Sequence, residues 1–201
     1  EYDLSNQALN SLENLSEKDI PWDQVYSTLG KPFFHHNGKV ISPNIRYLEE
    51  IILLKKLVFN NLSDKSEIRV LEIGAGESQL SNLVLSVPNV KSIIIDLPSM
   101  HCRGPFWLYK YGKKVALYSD YIEAGKDVDA IFKNYDAIYL PPWAVEDLKC
   151  KFDLGINVRS LSEMSLDDVM RYLKFIDENC DAFFSLNTNC NNLDRTTLSN
   201  H

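Results

Sequence analysis

The chain has 201 residues, 45% hydrophobic and 24% charged, with a formal net charge of −7. That balance suits one soluble globular domain with a substantial core, and no apolar run approaches the ~18 residues that a membrane span needs. The acidic surplus argues against a nucleic-acid backbone as the main partner, because no basic patch offsets the phosphates.

The first residues, Glu1-Tyr2-Asp3, carry neither Met nor a basic-then-apolar leader, so a trimmed chain is expected. Residues 1–30 read as short amphipathic helical pieces, with Leu4, Leu9, Leu12 and Leu15 on a roughly helical spacing and a break at Ile20-Pro21-Trp22. Gly30 to Pro43 reads as a loop or hairpin containing His35 and His36. From Asn44 to Asn61 the pattern is helical, with Ile45, Leu48, Ile51, Ile52 and Leu57 to Phe59 on the apolar face and Glu49 and Glu50 near the start. The polar stretch Asn60 to Glu67 is the best boundary, between an N-terminal helical cap (1–62) and a core domain (63–201).

Beyond it, strand and helix alternate. Strands are expected at Arg69–Ile73, Val90–Asp96, Tyr135–Leu140, Phe152–Asn157 and Ala182–Leu186, with helices at Gln79–Ser86 and Leu166–Cys180. Two apolar runs joined by one helix imply a right-handed parallel crossover. Phe106 to Lys133 is ambiguous, with Val115 to Tyr118 readable as a short strand inside an insertion. The class is α/β with a mainly parallel sheet and helices on both faces. Cys102, Cys150, Cys180 and Cys190 form no C-x-x-C pair and have no His at zinc-finger spacing. Reduced thiols in a cytoplasmic protein follow, and no metal site is expected.

The most informative stretch is Val70-Leu71-Glu72-Ile73-Gly74-Ala75-Gly76-Glu77-Ser78. An apolar strand ends in Gly-x-Gly, which lets the backbone turn sharply and approach a ligand without a Cβ in the way. The helix behind it offers unpaired N–H groups. Glu72, just before the turn, suits a ligand with a free amino group and not a dinucleotide pyrophosphate; this points to S-adenosylmethionine. The third glycine of a dinucleotide fingerprint is replaced by Gln79, and Gly-Lys-Ser/Thr is absent, so NAD and P-loop readings are disfavoured. Asp96, 20 residues after Gly76 at a strand end, can accept from both ribose hydroxyls; alternatively it caps the turn Leu97-Pro98-Ser99.

Three stretches in order, Val70 to Gly76, Ile94-Ile95-Asp96-Leu97-Pro98 and Phe152 to Met164, resemble a family of sugar O-methyltransferases within the class I S-adenosylmethionine-dependent methyltransferases. Leu140-Pro141-Pro142-Trp143, Phe183-Phe184-Ser185-Leu186-Asn187, Gly30-Lys31-Pro32 and Ile41 to Tyr47 also look like that family. The resemblance spans most of residues 30–187 and implies a Rossmann-like fold and methyl transfer to a sugar hydroxyl of a glycan or secondary-metabolite precursor.

By position, the resemblance implies that Glu72, Gly74 and Gly76 hold the methionine end of the donor and Asp96 its ribose. Leu97, Pro141 and Trp143 would flank the adenine, unless Trp143 is a core aromatic. Asn157 would lie beside the donor methyl, and Arg159 and Ser160 on the acceptor side. The product would be S-adenosylhomocysteine.

An acceptor hydroxyl must sit about 3 Å from the sulfonium methyl, and a general base assists it. Glu163 is the first candidate, His101 the second; His35 and His36 could fold over the site from their loop. Glu163 could instead be a helix-start acid. A class I sheet has seven strands, and 188–201 holds no apolar run for the last two. A longer parent chain, a further segment or a second copy is therefore expected to cover the sheet edge. The competing readings are a catalytically silent cofactor-binding domain and, less favoured, an NAD-dependent oxidoreductase.

Overall fold

The computed structural model describes residues 34–36, 39–41 and 46–187, and the side chains of all of these except 34–36, 39–41, 46 and 48. The helical pieces expected in residues 1–30 therefore lie outside the described residues. The expected loop or hairpin is a short antiparallel ladder, β1 (Phe34–His36) with β2 (Lys39–Ile41), paired from Phe34↔Ile41 to His36↔Lys39.

Among the described residues the remaining strands form one parallel sheet of six: β3 (Ile68–Ile73), β4 (Val90–Ile95), β5 (Val115–Ala116), β6 (Ala137–Leu140), β7 (Leu154–Val158) and β8 (Phe183–Leu186). Their order is β5-β6-β4-β3-β7-β8, and every pairing is parallel. The chain runs from β3 to β4, out to the edge strand β5 and back in to β6, and then crosses to the other side of β3 with β7 and β8. This is a Rossmann-like doubly wound sheet, and its topological switch point lies between β3 and β7.

Period-2 alternation sorts the strand side chains onto two faces. Ile68, Val70, Ile94, Ala137, Tyr139, Leu154 and Ile156 pack with Ile51 and Leu54 of α1 (Arg46–Leu57), Leu80 and Leu83 of α2 (Gln79–Val84) and Leu108 of α3 (Arg103–Lys110). Leu71, Ile73, Ile93, Ile95, Ile138 and Leu140 pack on the opposite face. There they meet Tyr121 of α4 (Tyr118–Glu123), Ile131 and Phe132 of α5 (Val128–Phe132), and Tyr172 and Ile176 of α6 (Leu166–Asn179). Strands covered on both faces read as continuous apolar runs, which is why they stand out in the sequence.

The ambiguous segment resolves into α3, β5, α4 and α5. The expected short strand is there as β5, at the outer edge beside β6. Helix α1 presents Tyr47, Glu50, Ile51 and Leu54 on its inward stripe, with Glu50 only 1% exposed.

Candidate functional site

A cavity of about 320 Å³ opens at the carboxyl ends of β3 and β7. Its walls include Glu72, Gly74, Gly76 and Glu77 after β3, Arg159, Ser160 and Glu163 after β7, and Tyr47 of α1. The switch point of an open parallel sheet is where two diverging connections leave such a crevice.

The turn after β3 is built for close approach. Gly74 and Gly76 both take left-handed backbone, φ 74° and 58°, followed by Ser78 at φ 58°. The Gly74 N–H donates to the Ile95 carbonyl at 2.8 Å. A Cβ on Gly74 would stand 2.1 Å from Ser160 Oγ, whereas one on Gly76 would meet nothing within 4 Å. Gly74 is thus the close-packed glycine and Gly76 the open one. The helix that follows, α2, is one residue pair shorter than the spacing predicts, ending at Val84 and not Ser86.

Asp96 sits just past β4 and is 8% exposed. Its Oδ2 accepts from the Gly76 N–H and its Oδ1 from the Leu97 N–H, both at 2.7 Å. The carboxylate therefore braces the glycine turn and ties down the chain leaving β4 at once, without capping the turn that begins at Pro98. Each oxygen keeps acceptor capacity, because an ionised carboxylate offers about four lone-pair sites. Burial pushes its pKa up, and the two backbone N–H donors oppose that shift.

Period-2 alternation aims Glu72 at the same face as Val70, towards α1 and α2. Its side chain is buried, and burial pushes its pKa up to about 7, with Asp96 and Glu50 adding like-charge repulsion. Ser81 lies near enough to favour the charged form, yet neither Glu72 Oε2 nor Ser81 Oγ completes a hydrogen bond. A buried carboxylate oxygen with no partner is costly unless something supplies a donor.

The β7 side divides its residues. Asn157 is fully buried and points to the α6 face: its Nδ2 donates to the Ile73 carbonyl at 2.8 Å and to Ser160 Oγ at 2.5 Å, and its Oδ1 accepts from Leu161 N–H at 3.3 Å and Asn187 Nδ2 at 3.0 Å. Ser160 Oγ in turn donates to the Ile73 carbonyl at 3.0 Å. These two side chains clamp the ends of β3 and β7 together. Arg159 takes φ 62° and pairs through Nη1 with Glu50 Oε1 at 2.5 Å. Glu163 is exposed on a one-turn 3-10 segment, Leu161–Glu163, ahead of α6; the α6 cap is Ser165, whose side chain accepts from the Asp168 N–H at 3.2 Å. Glu163 therefore borders the cavity and is not in the helix's first turn.

Other candidates sit elsewhere on the edge. His101 Nε2 contacts the Asp96 carbonyl at 3.2 Å, and its ring packs edge-on against Tyr139 at 5.0 Å. Leu97 and Trp143 are 60% and 56% exposed, after β4 and β6 respectively, while Pro141 is buried. Trp143 touches Tyr118 edge-on at 6.2 Å and is not a core aromatic. His35 and His36 lie on β1, where only the backbone is described. Among the described residues, no group of three or more His, Cys, Asp or Glu is placed to hold a metal, and no helix is long and apolar enough to cross a membrane.

Sequence reasoning missed Tyr47, Glu50 and Tyr139 as site residues. The Tyr139 hydroxyl reaches towards the Gly76 carbonyl at 3.4 Å, and Gly104 of α3 makes room for it, since a Cβ there would stand 2.4 Å from that oxygen. Only the strand-end position of Tyr139 offered a signal.

No protein-family model matches the chain, and no curated protein matches it. Solved structures do. PKMT2 from Rickettsia typhi in complex with AdoHcy is 16% identical with a TM-score of 0.41, covering 60% of this chain and 21% of that one. The glycopeptide N-methyltransferase MtfA complexed with (S)-adenosyl-L-methionine is 12% identical with a TM-score of 0.39, covering 61% and 44%. An O-methyltransferase family protein from Burkholderia thailandensis is 10% identical with a TM-score of 0.40, covering 69% and 38%. The chain thus spans less than half the length of each. Likeness at this level carries nothing about ligand or reaction.

Proposed function

We propose that this chain binds S-adenosylmethionine along the carboxyl edge of its sheet and is a methyltransferase, with a sugar hydroxyl as the acceptor. The observation that carries the reading is Glu72 Oε2, a buried, unpartnered carboxylate oxygen beside a Gly-x-Gly turn in the switch-point cavity. A ligand ammonium supplies the missing donor and favours the charged carboxylate. A pyrophosphate at the same place would meet a carboxylate, which disfavours the dinucleotide alternative.

The other groups of the donor find fitting partners in strand order. The exposed apolar Leu97 and Trp143, after β4 and β6, suit the adenine. Asp96 suits the ribose diol, with acceptor capacity left on both oxygens and its orientation fixed by Gly76 and Leu97. Gly74 and Gly76 admit the methionine end. When bound, the donor supplies an electrophilic methyl on a sulfonium sulfur.

The chain's own part is to orient an acceptor oxygen beside that methyl and to take up its proton. Glu163 is the proposed base, because it borders the cavity on the loop after β7. His101 is the weaker candidate: its Nε2 is directed at the Asp96 carbonyl, on the ribose side. Asn157, its polar atoms spent on Ile73, Ser160, Leu161 and Asn187, acts in this reading by fixing the cavity wall and not by touching the donor. The sugar acceptor rests on the resemblance of the Asn157-to-Met164 stretch, and the cytoplasm is the proposed setting.

Thermal-shift measurements with S-adenosylmethionine, S-adenosylhomocysteine, NAD and ATP test the reading. Stabilisation by the first two is expected; stabilisation by NAD alone would overturn it. Donor binding with no transfer to any sugar acceptor would favour a catalytically silent domain.

A further inference from the structure

We propose that the acceptor carries an oxyanion, a carboxylate or a phosphate, that pairs with Arg159, and that Glu50 is the positioning residue that aims this guanidinium into the cavity. The inference rests on the methyl-transfer reading and names the acceptor class for it.

The order of strand ends fixes the geography. Across the edge, Trp143 follows β6, Leu97 and Asp96 follow β4, and Glu72 and Gly74 belong to β3. Arg159 follows β7, one strand beyond the groups assigned to the donor, where an acceptor would enter. Among the described residues lining the cavity, Arg159 is the one Lys or Arg, set against Glu72, Glu77 and Glu163. In a chain of net charge −7, an anionic acceptor needs such a fixed cation.

Two features show that the arginine is held in place. Its backbone takes φ 62°, a conformation in which a side chain is strained and glycine is not, and its N–H is tied to the Leu186 carbonyl at 2.8 Å. Its Nη1 is gripped by Glu50, a carboxylate 1% exposed on the inward stripe of α1. One nitrogen of the fork is thus fixed, while the others, on a side chain 32% exposed, keep the planar donor geometry that suits a carboxylate or phosphate. A buried anion that orients one side of a guanidinium leaves the other side pre-aimed, and this lowers the entropy cost of recognition.

Calorimetry on the full chain separates this proposal from the reading beneath it. Failure of S-adenosylhomocysteine to bind the unaltered protein overturns the methyl-transfer reading. The acceptor arm is read separately, by titrating glucuronate, glucose 6-phosphate and neutral glucose with and without S-adenosylhomocysteine. At least one anionic sugar should bind about tenfold or more tighter than glucose. Which of the two does so distinguishes carboxylate from phosphate. In Glu50→Gln the anionic preference should fall at least about fivefold, while S-adenosylhomocysteine binding, the check on folding, persists. Should Glu50→Gln fail to fold, Arg159→Lys carries the test: it keeps a cation beside Glu50 but loses the fork, and the preference should again drop. No preference for either anionic sugar in the unaltered protein overturns the proposal. A preference unchanged in the folded variants overturns it as well.

Discussion

Glu72 shows how a residue proposed to bind ligand can be a stability cost. Its carboxyl titrates at about 7 against an ordinary value of 4.5, chiefly because burial disfavours the charge. Between those values the native protein keeps a proton that the unfolded chain has released. Stability is therefore fully present below about pH 4.5, declines as pH rises towards 7, and stays lowered above it, by on the order of 3 kcal/mol from this group alone. Asp96 is shifted in the same direction, also by burial. Glu72→Gln removes the ionisation and keeps the shape. Chemical denaturation should show it more stable than the parent at pH 8 and nearly equal at pH 4, while its affinity for S-adenosylhomocysteine falls. An equal difference at pH 4 and pH 8 would mean that Glu72 is not carrying a buried charge.

At the scale of elements, the two glycines of the turn make unequal demands. Both have positive φ, so alanine at either is strained by about 1–2 kcal/mol. Only Gly74 also faces Ser160, whose hydroxyl is held by Ile73 and Asn157. Gly74→Ala should therefore destabilise the fold by about 2 kcal/mol or more beyond Gly76→Ala, measured by urea denaturation; equal losses would contradict the packing of the β7 loop on the turn. The sequence was legible where elements are long or buried on both sides. The central strands fall within about two residues of their predicted ends, and α6 is one residue shorter than expected. Across 106–133 only the short strand β5 was legible, because α3, α4 and α5 run to 8, 6 and 5 residues, too short for periodicity to declare itself. Likewise, Glu72, Gly74, Gly76 and Asp96 belong to a local pattern that sequence can display. Glu50 meets Arg159 across 109 positions, and only tertiary packing brings them together.

For the molecule as a whole, that long-range pair couples α1 to the loop after β7, the strand it packs against. Removing the arginine takes one charge-assisted hydrogen bond from a carboxylate that is 1% exposed, so Arg159→Ala should cost about 1.5–3 kcal/mol in equilibrium unfolding. Adding Glu50→Gln to it should restore part of that loss; no recovery would show that the cost lies elsewhere. We propose, at this scale, that a doubly wound sheet with Glu72 and Asp96 flanking the switch-point turn binds the adenosyl amino acid common to S-adenosylmethionine and its product. Isothermal titration of S-adenosylhomocysteine into the unaltered protein and into Asp96→Ala tests it most directly. Binding to the first is expected, with an affinity at least about tenfold weaker in the second, the worth of one or two charge-assisted hydrogen bonds. No measurable binding to the unaltered protein, or equal affinity in the two, would contradict it.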